Sequence, residues 1–115
     1  MTDAPALSAE DAKLVTLARG ARGRVGAAEG AAVRDETGRT YSGATVALDG
    51  LAVSALALAV AQAAASGARG LEAVVVVGAP SLAESDLAAV RALGGSGVPV
   101  LLAAADGSIL AALRS

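Results

Sequence analysis

The sequence predicts an α/β fold with a mixed sheet. Three observations carry that expectation. Two Ala/Leu-rich segments have good helix starts and stops, Ala73–Val77 and Val98–Ala103 are nearly continuous aliphatic runs, and a Gly-bearing turn joins two extended segments near residue 38. The order read along the chain is α-β-β-α-β-α-β, with residues 108–113 either a last short strand or a helical end.

The first helix starts at Ser8, whose hydroxyl can cap exposed amides, with Glu10 and Asp11 in the first turn, where the helix dipole favours anions. Leu14, Val15, Leu17 and Ala18 form its apolar stripe, and Gly20 or Gly23 is the expected end. Residues 29–34 and 39–45 read as paired strands around the turn Asp35-Glu36-Thr37-Gly38, where Gly38 can take positive φ.

Residues 51–66 form the longest apolar segment and are expected to be one helix, apolar on nearly every side, with Asp49-Gly50 as its turn or cap. Ser54 within it is expected to bond back to the preceding turn. Ala73–Val77 reads as a strand buried on both faces. The next helix opens at Pro80-Ser81, with Ser81 or Ser85 as candidate caps, Ser81 and Glu84 at capping-box spacing, Asp86 in an early turn and Gly94-Gly95 as the stop. Pro99 is tolerated near the start of the following strand, and Asp106-Gly107 is a turn. Strand–helix–strand units of this kind call for parallel pairing through right-handed crossovers. Residues 1–7 are expected to be disordered, and residues 8–115 to form a single domain.

Composition excludes several chemistries. The 115 residues include no Cys, no His, no Trp and no Phe, and one Tyr. Cys- or His-ligated zinc, iron–sulfur clusters, a Cys nucleophile, a Ser-His-Asp triad and disulfides are therefore out of reach. No metal and no cofactor is expected. The net charge is −2, and no aromatic platform exists to stack bases, so no nucleic-acid partner is expected; Arg19, Arg22 and Arg24 read as a solvated helix end. The apolar stretch at residues 51–65 is too short to span a bilayer. A cytoplasmic protein without a membrane partner is expected. A core of small aliphatic groups buries little area per residue, so a homo-oligomer, a dimer or tetramer, is expected.

The run Gly30-Ala31-Ala32-Val33-Arg34-Asp35-Glu36-Thr37-Gly38-Arg39-Thr40-Tyr41-Ser42-Gly43 resembles the cytidine deaminase family. That family carries a similar Gly-Ala-Ala, hairpin, Asp-Gly-Arg, aromatic, small residue, Gly run, and the likeness continues in element order over residues 8–113. The resemblance implies a three-layer α-β-α sandwich around a mixed sheet of about five strands. In the family a Cys and an Asn-Val-Glu-Asn stretch follow and hold the ribose; Ala44 and Thr45-Val46-Ala47-Leu48 match them here. The family's Cys- or His-Ala-Glu, which supplies a zinc ligand and the proton-relay Glu, matches Ser54-Ala55-Leu56. Its Pro-Cys-x-x-Cys matches Pro80-Ser81-Leu82-Ala83-Glu84.

The resemblance thus implies former active-site positions at Ser54, Leu56, Ser81 and Glu84, with no catalytic residue remaining. Leu cannot relay a proton, and two hydroxyls with one carboxylate make a poor cage for a divalent ion. The implied function is a deaminase-like scaffold without the activity, acting as a self-associating structural or interaction protein. The alternative is a binder of a nucleoside-like small molecule, or a hydrolase of altered chemistry, with a pocket lined by Thr45, Asp49, Ser54, Ser81 and Glu84.

Overall fold

The computed structural model describes residues 7–115; of the expected disordered leader, residues 1–6 lie outside the described residues. The elements are α1 (Ala9–Val25), β1 (Gly30–Asp35), β2 (Thr40–Ala44), β3 (Val46–Leu48), β4 (Leu51–Val53), α2 (Ala55–Ala65), β5 (Leu71–Val77), α3 (Glu84–Gly94), β6 (Pro99–Ala103) and β7 (Ile109–Arg114). Five strands form one sheet in the order β2-β1-β5-β6-β7, and β3 and β4 form a separate hairpin.

Alternation along the strands assigns the layers. Ala32 of β1 and Ala73, Val75 and Val77 of β5 pack with Leu14, Val15 and Ala18 of α1. The intervening residues Ala31, Val33, Val74 and Val76 pack on the opposite face with Leu56, Ala59 and Val60 of α2 and Val90 of α3. The sandwich is therefore α1, sheet, then α2 and α3. β5 is buried on both faces, as its unbroken Val run requires.

The antiparallel β1–β2 hairpin and the parallel β5–α3–β6 unit match expectation, and the β2–α2–β5 unit departs from it. Only β5 and β6 pair in parallel, through the α3 crossover. β1 lies between β2 and β5 and is antiparallel to both, so the β2–α2–β5 crossover joins two strands that are not neighbours. β7 is a strand, antiparallel to β6, which resolves the open reading of the C-terminal segment.

Three element boundaries also depart from expectation. α1 runs through Gly20 and Gly23 and stops at Gly26, whose φ of 61° closes the helix by returning its amide to the Arg22 carbonyl. A glycine within a helix costs only about 1 kcal/mol, which packing against the sheet offsets. The segment at residues 51–66 is not one helix: its first three residues form β4 and pair with β3 across the Asp49-Gly50 turn. α3 begins at Glu84 rather than at Pro80-Ser81; its N-cap is Ala83, which makes no side-chain cap bond, so the expected capping box is absent.

Close approach sets the spacing of the layers. A methyl group on Gly30 would lie 2.8 Å from Arg22 Cβ and 2.9 Å from Arg22 N of α1. One on Gly43 would lie 3.0 Å from the Ala55 carbonyl and 3.1 Å from Ala59 N of α2. Each helix rests on the backbone of the strand beneath it. Arg34 ties α1 to the sheet by pairing with Asp11 at 3.1 Å and Glu72 at 3.0 Å.

The β1–β2 turn is held by Asp35, whose carboxylate is nearly inaccessible. One oxygen accepts from Thr37 N at 2.8 Å, Thr37 Oγ1 at 2.8 Å and Arg39 N at 3.0 Å, and the other accepts from Tyr41 Oη at 2.9 Å. Burial by itself would raise the Asp35 pKa, but these hydrogen bonds outweigh it and hold the value at about 2.

Two outcomes are expected. Gly30→Ala should destabilise the fold by roughly 1–3 kcal/mol in urea denaturation, the usual cost of overpacking. Asp35 is depressed below its ordinary 3.8, so its stabilisation is present above that value and is lost as pH falls toward about 2. Asp35→Asn should lower Tm at neutral pH and flatten the acid limb of the stability curve over that interval, read by thermal denaturation at several pH values.

Candidate functional site

α2 and α3 begin side by side at the end of the sheet where β5 leaves for α3. Ser54 is the N-cap of α2, and its Oγ accepts a hydrogen bond from Ala57 N at 3.1 Å. The same hydroxyl donates to Asp86 Oδ1, in the first turn of α3, at 2.6 Å. One serine thus satisfies an amide at the start of α2 and fastens that end to α3. Ser54 does not bond back to the preceding turn, because a serine just outside the first turn finds free amides ahead of it.

Asp86 is 8% exposed and lies in the acidic first turn of α3. Glu29, immediately before β1, is half-buried and within electrostatic reach of Asp86. Its pKa is raised by burial first and by the Asp86 charge second. The ionised Glu29 therefore costs stability at neutral pH, and protonation relieves that cost as pH falls. Thr45 joins Glu29 to the extension of β2: its Oγ1 accepts from Glu29 N at 3.1 Å and donates to the Glu29 carbonyl at 3.2 Å. The cluster is Glu29, Thr45, Ser54 and Asp86.

The other sequence-derived positions lie elsewhere. Leu56 is fully buried in the core beneath the cluster. Ser81 is exposed in the loop before α3, and Glu84 is exposed at the first position of α3, where it pairs with Arg91. Asp49 is exposed at the tip of the β3–β4 hairpin. Among the described residues, no hydrogen bond joins Ser54 to Ser81 or Glu84. No group of three or more carboxylates, Cys or His is placed to hold a metal ion among them.

Glu29 and Asp86 are the residues that sequence reasoning missed. Asp86 is visible in the sequence as an early-turn acid, which by itself reads as a dipole partner. Nothing in the spacing from Ser54 to Asp86 or from Glu29 to Asp86 marks a contact. The meeting depends on where α3 begins, its N-cap Ala83 lying two residues beyond the expected cap Ser81.

Arg19 and Arg22, expected as a solvated helix end, also have structural work. Arg19 Nε donates to the Ala105 carbonyl and Arg22 Nε to the Ala28 carbonyl, each at 3.2 Å. These bonds pin the β6–β7 turn and the approach to β1 against α1.

Ser54→Ala should remove a cap worth about 1 kcal/mol and leave Asp86 without its hydroxyl donor, adding about 1–3 kcal/mol. Ser54→Thr should retain most of that stability. Equilibrium urea denaturation of the two variants checks both.

The arrangement of sheet and helices recurs in solved structures. Cytidine deaminase from Burkholderia pseudomallei superposes with a TM-score of 0.76 at 23% identity, covering 93% of this chain and 92% of that one. Cytidine deaminase from Mycobacterium leprae gives a TM-score of 0.70 at 22% identity, covering 84% of this chain and 89% of that one. At these identities the likeness is one of fold. Comparison with curated protein sequences finds no match. The family model for cytidine deaminase-like proteins matches residues 7–107. The chain belongs to the cytidine deaminase-like family.

Proposed function

We propose that this chain is a non-catalytic member of its family, acting as a self-associating structural or interaction protein. The observation that carries this reading is the pairing of Ser54 with Asp86 above a buried Leu56. A catalytic zinc site takes three side-chain ligands from His, Cys and carboxylate and leaves a position for water. The cluster offers two hydroxyls, that of Ser54 committed as donor to Asp86 and acceptor from Ala57 and that of Thr45 committed to the Glu29 backbone, and two carboxylates. That donor set does not fit zinc. Deamination of a base also needs a carboxylate poised to relay protons next to the metal. The position that the sequence resemblance assigns to that carboxylate is Leu56, an aliphatic core residue.

In this reading the Ser54–Asp86 hydrogen bond holds the two helix starts together. Former site positions then contribute stability and leave no reactive group behind. The protein acts in the cytoplasm, needs no cofactor, and has copies of itself as its first partner. No helix among the described residues is long and apolar enough to cross a membrane.

Purified protein should contain no stoichiometric zinc by elemental analysis and should not convert cytidine to uridine in a spectrophotometric assay. Zinc held at one equivalent per chain, with turnover that a chelator abolishes, would overturn the non-catalytic reading.

A further inference from the structure

The chain contains no Asn, and two of its Asp residues precede glycine, at Asp49-Gly50 and Asp106-Gly107. A glycine in that place lets its own backbone nitrogen approach the aspartate side-chain carbon, because no Cβ stands in the way. The fold sets the two pairs in turns of opposite character.

Asp106-Gly107 lies in the β6–β7 turn, and its reacting atoms are held. Asp106 Oδ1 accepts from Ser108 N at 2.9 Å and from Ser108 Oγ at 2.6 Å. Gly107 N donates to the Ala104 carbonyl at 2.8 Å. Arg19 Nε pins the same turn through the Ala105 carbonyl at 3.2 Å, and a methyl group on Gly107 would lie 3.1 Å from Arg19 Cδ. The Ser108 hydroxyl and amide bonds, aided by the Arg19 charge, hold the Asp106 carboxyl below its ordinary range. The protonated acid, which is the form that loses hydroxide, is thereby made scarcer.

Asp49-Gly50 is bare. Both residues are exposed, and a methyl group on Gly50 would meet no atom within 4 Å. Among the described residues, no hydrogen bond or ion pair holds the Asp49 carboxylate or the Gly50 N–H. The strands beneath, β3 and β4, are three residues each and pair only with each other. A lone two-stranded hairpin is marginal in water. Gly50 has φ 82°, and no non-glycine residue among those described has positive φ. The turn is therefore of type II, which lacks the match to strand twist that the primed turns provide. Local opening of this tip costs little.

We propose that Asp49-Gly50 is a site of spontaneous backbone modification, converting to isoaspartate while Asp106-Gly107 stays intact. Gly50 N attacks Cγ of the protonated Asp49 carboxyl. A C–N bond forms, the C–OH bond breaks, and the hydroxyl leaves with the amide proton as water. Water then adds to one of the two carbonyls of the resulting cyclic imide. Opening at Cγ restores aspartate. Opening at the former backbone carbonyl routes the main chain through Cβ and Cγ and leaves a free α-carboxylate. That group stands on an exposed tip, within reach of a protein carboxyl methyltransferase with a sulfonium methyl donor. The extra main-chain atom breaks the pairing of Leu48 with Leu51, but the disturbance is confined to the hairpin. Thr45 is tied to Glu29 before β3, and Ser54 to Ala57 and Asp86 after β4. The modified chain stays folded and accumulates.

The test ages the full chain for weeks at neutral pH and body temperature, then labels it with isoaspartyl methyltransferase and a radioactive methyl donor. Trypsin separates the two pairs into the peptides Thr40–Arg69 and Ala92–Arg114. Thr40–Arg69 should accept at least about tenfold more methyl than Ala92–Arg114, a ratio that needs only about 1.4 kcal/mol of difference in restraint. The aged protein should keep its circular dichroism spectrum. Asp49→Glu, which would have to close a larger and less favourable ring, should remove the label from Thr40–Arg69. Ser108→Ala releases the Asp106 carboxylate and should raise the label in Ala92–Arg114. Aged in guanidinium chloride, the unfolded wild type should label both peptides alike. Equal labelling of the folded chain, label confined to Ala92–Arg114, or no label in either peptide would overturn the proposal. A difference that persists in guanidinium chloride, or a Ser108→Ala variant with unchanged label, would overturn the protection assigned to the fold.

Discussion

The close approach of helices to sheet is the constraint on which the rest of the molecule depends. With no Phe or Trp and one Tyr, the core is filled by Ala, Val and Leu, and thin layers pack only if the backbones come near one another. Gly30 admits α1 and Gly43 admits α2. Ala18, Ala21, Ala55, Ala59 and Ala63 do the same from the helix side. Because α2 is seated on β2 in this way, its N-terminus falls beside that of α3, and Ser54 comes within reach of Asp86. The candidate site is a consequence of how low the helices ride.

The polar groups inside this small apolar body are few, and each is used. Asp35 closes the first hairpin with four hydrogen bonds. Ser54 serves two helices at once. Among the described residues, no fully buried side-chain nitrogen or oxygen lacks a partner. A buried carboxylate without donors would be costly in such a core, so the fold places its carboxylates where backbone amides or hydroxyls already converge. Glu29 is the member of the cluster under electrostatic load, since burial weakens its solvation and the Asp86 charge adds to that.

Much of the fold was legible in the residues. The Ser8 cap, the Asp35–Gly38 turn, the buried run at residues 73–77 and the Gly94-Gly95 stop each rest on local chemistry, and each reappears in the structure. The misplacements have local causes too. Gly20 and Gly23 look like helix ends, but the sheet beneath α1 compensates for them. Leu51-Ala52-Val53 carries the helical composition of the segment it begins, yet the Asp49-Gly50 turn folds it back on β3. Ser81 and Glu84 have capping-box spacing, but α3 starts two residues later than the box requires, and Glu84 turns to Arg91.

By itself the sequence determined the types of most elements, the buried strands and the absence of imidazole and thiol, because these follow from residue identity and from periods of two and 3.6. It also pointed to the family, through a hairpin motif whose spacing is local. The tertiary structure decided which strands pair and in which sense, and which side chain meets Ser54. Those are long-range contacts, and no local pattern encodes them. Ser54 and Asp86 lie 32 residues apart, and their meeting depends on the crossover through β5 and on the start of α3. The chemistry of the candidate site belongs to that contact more than to either residue taken alone.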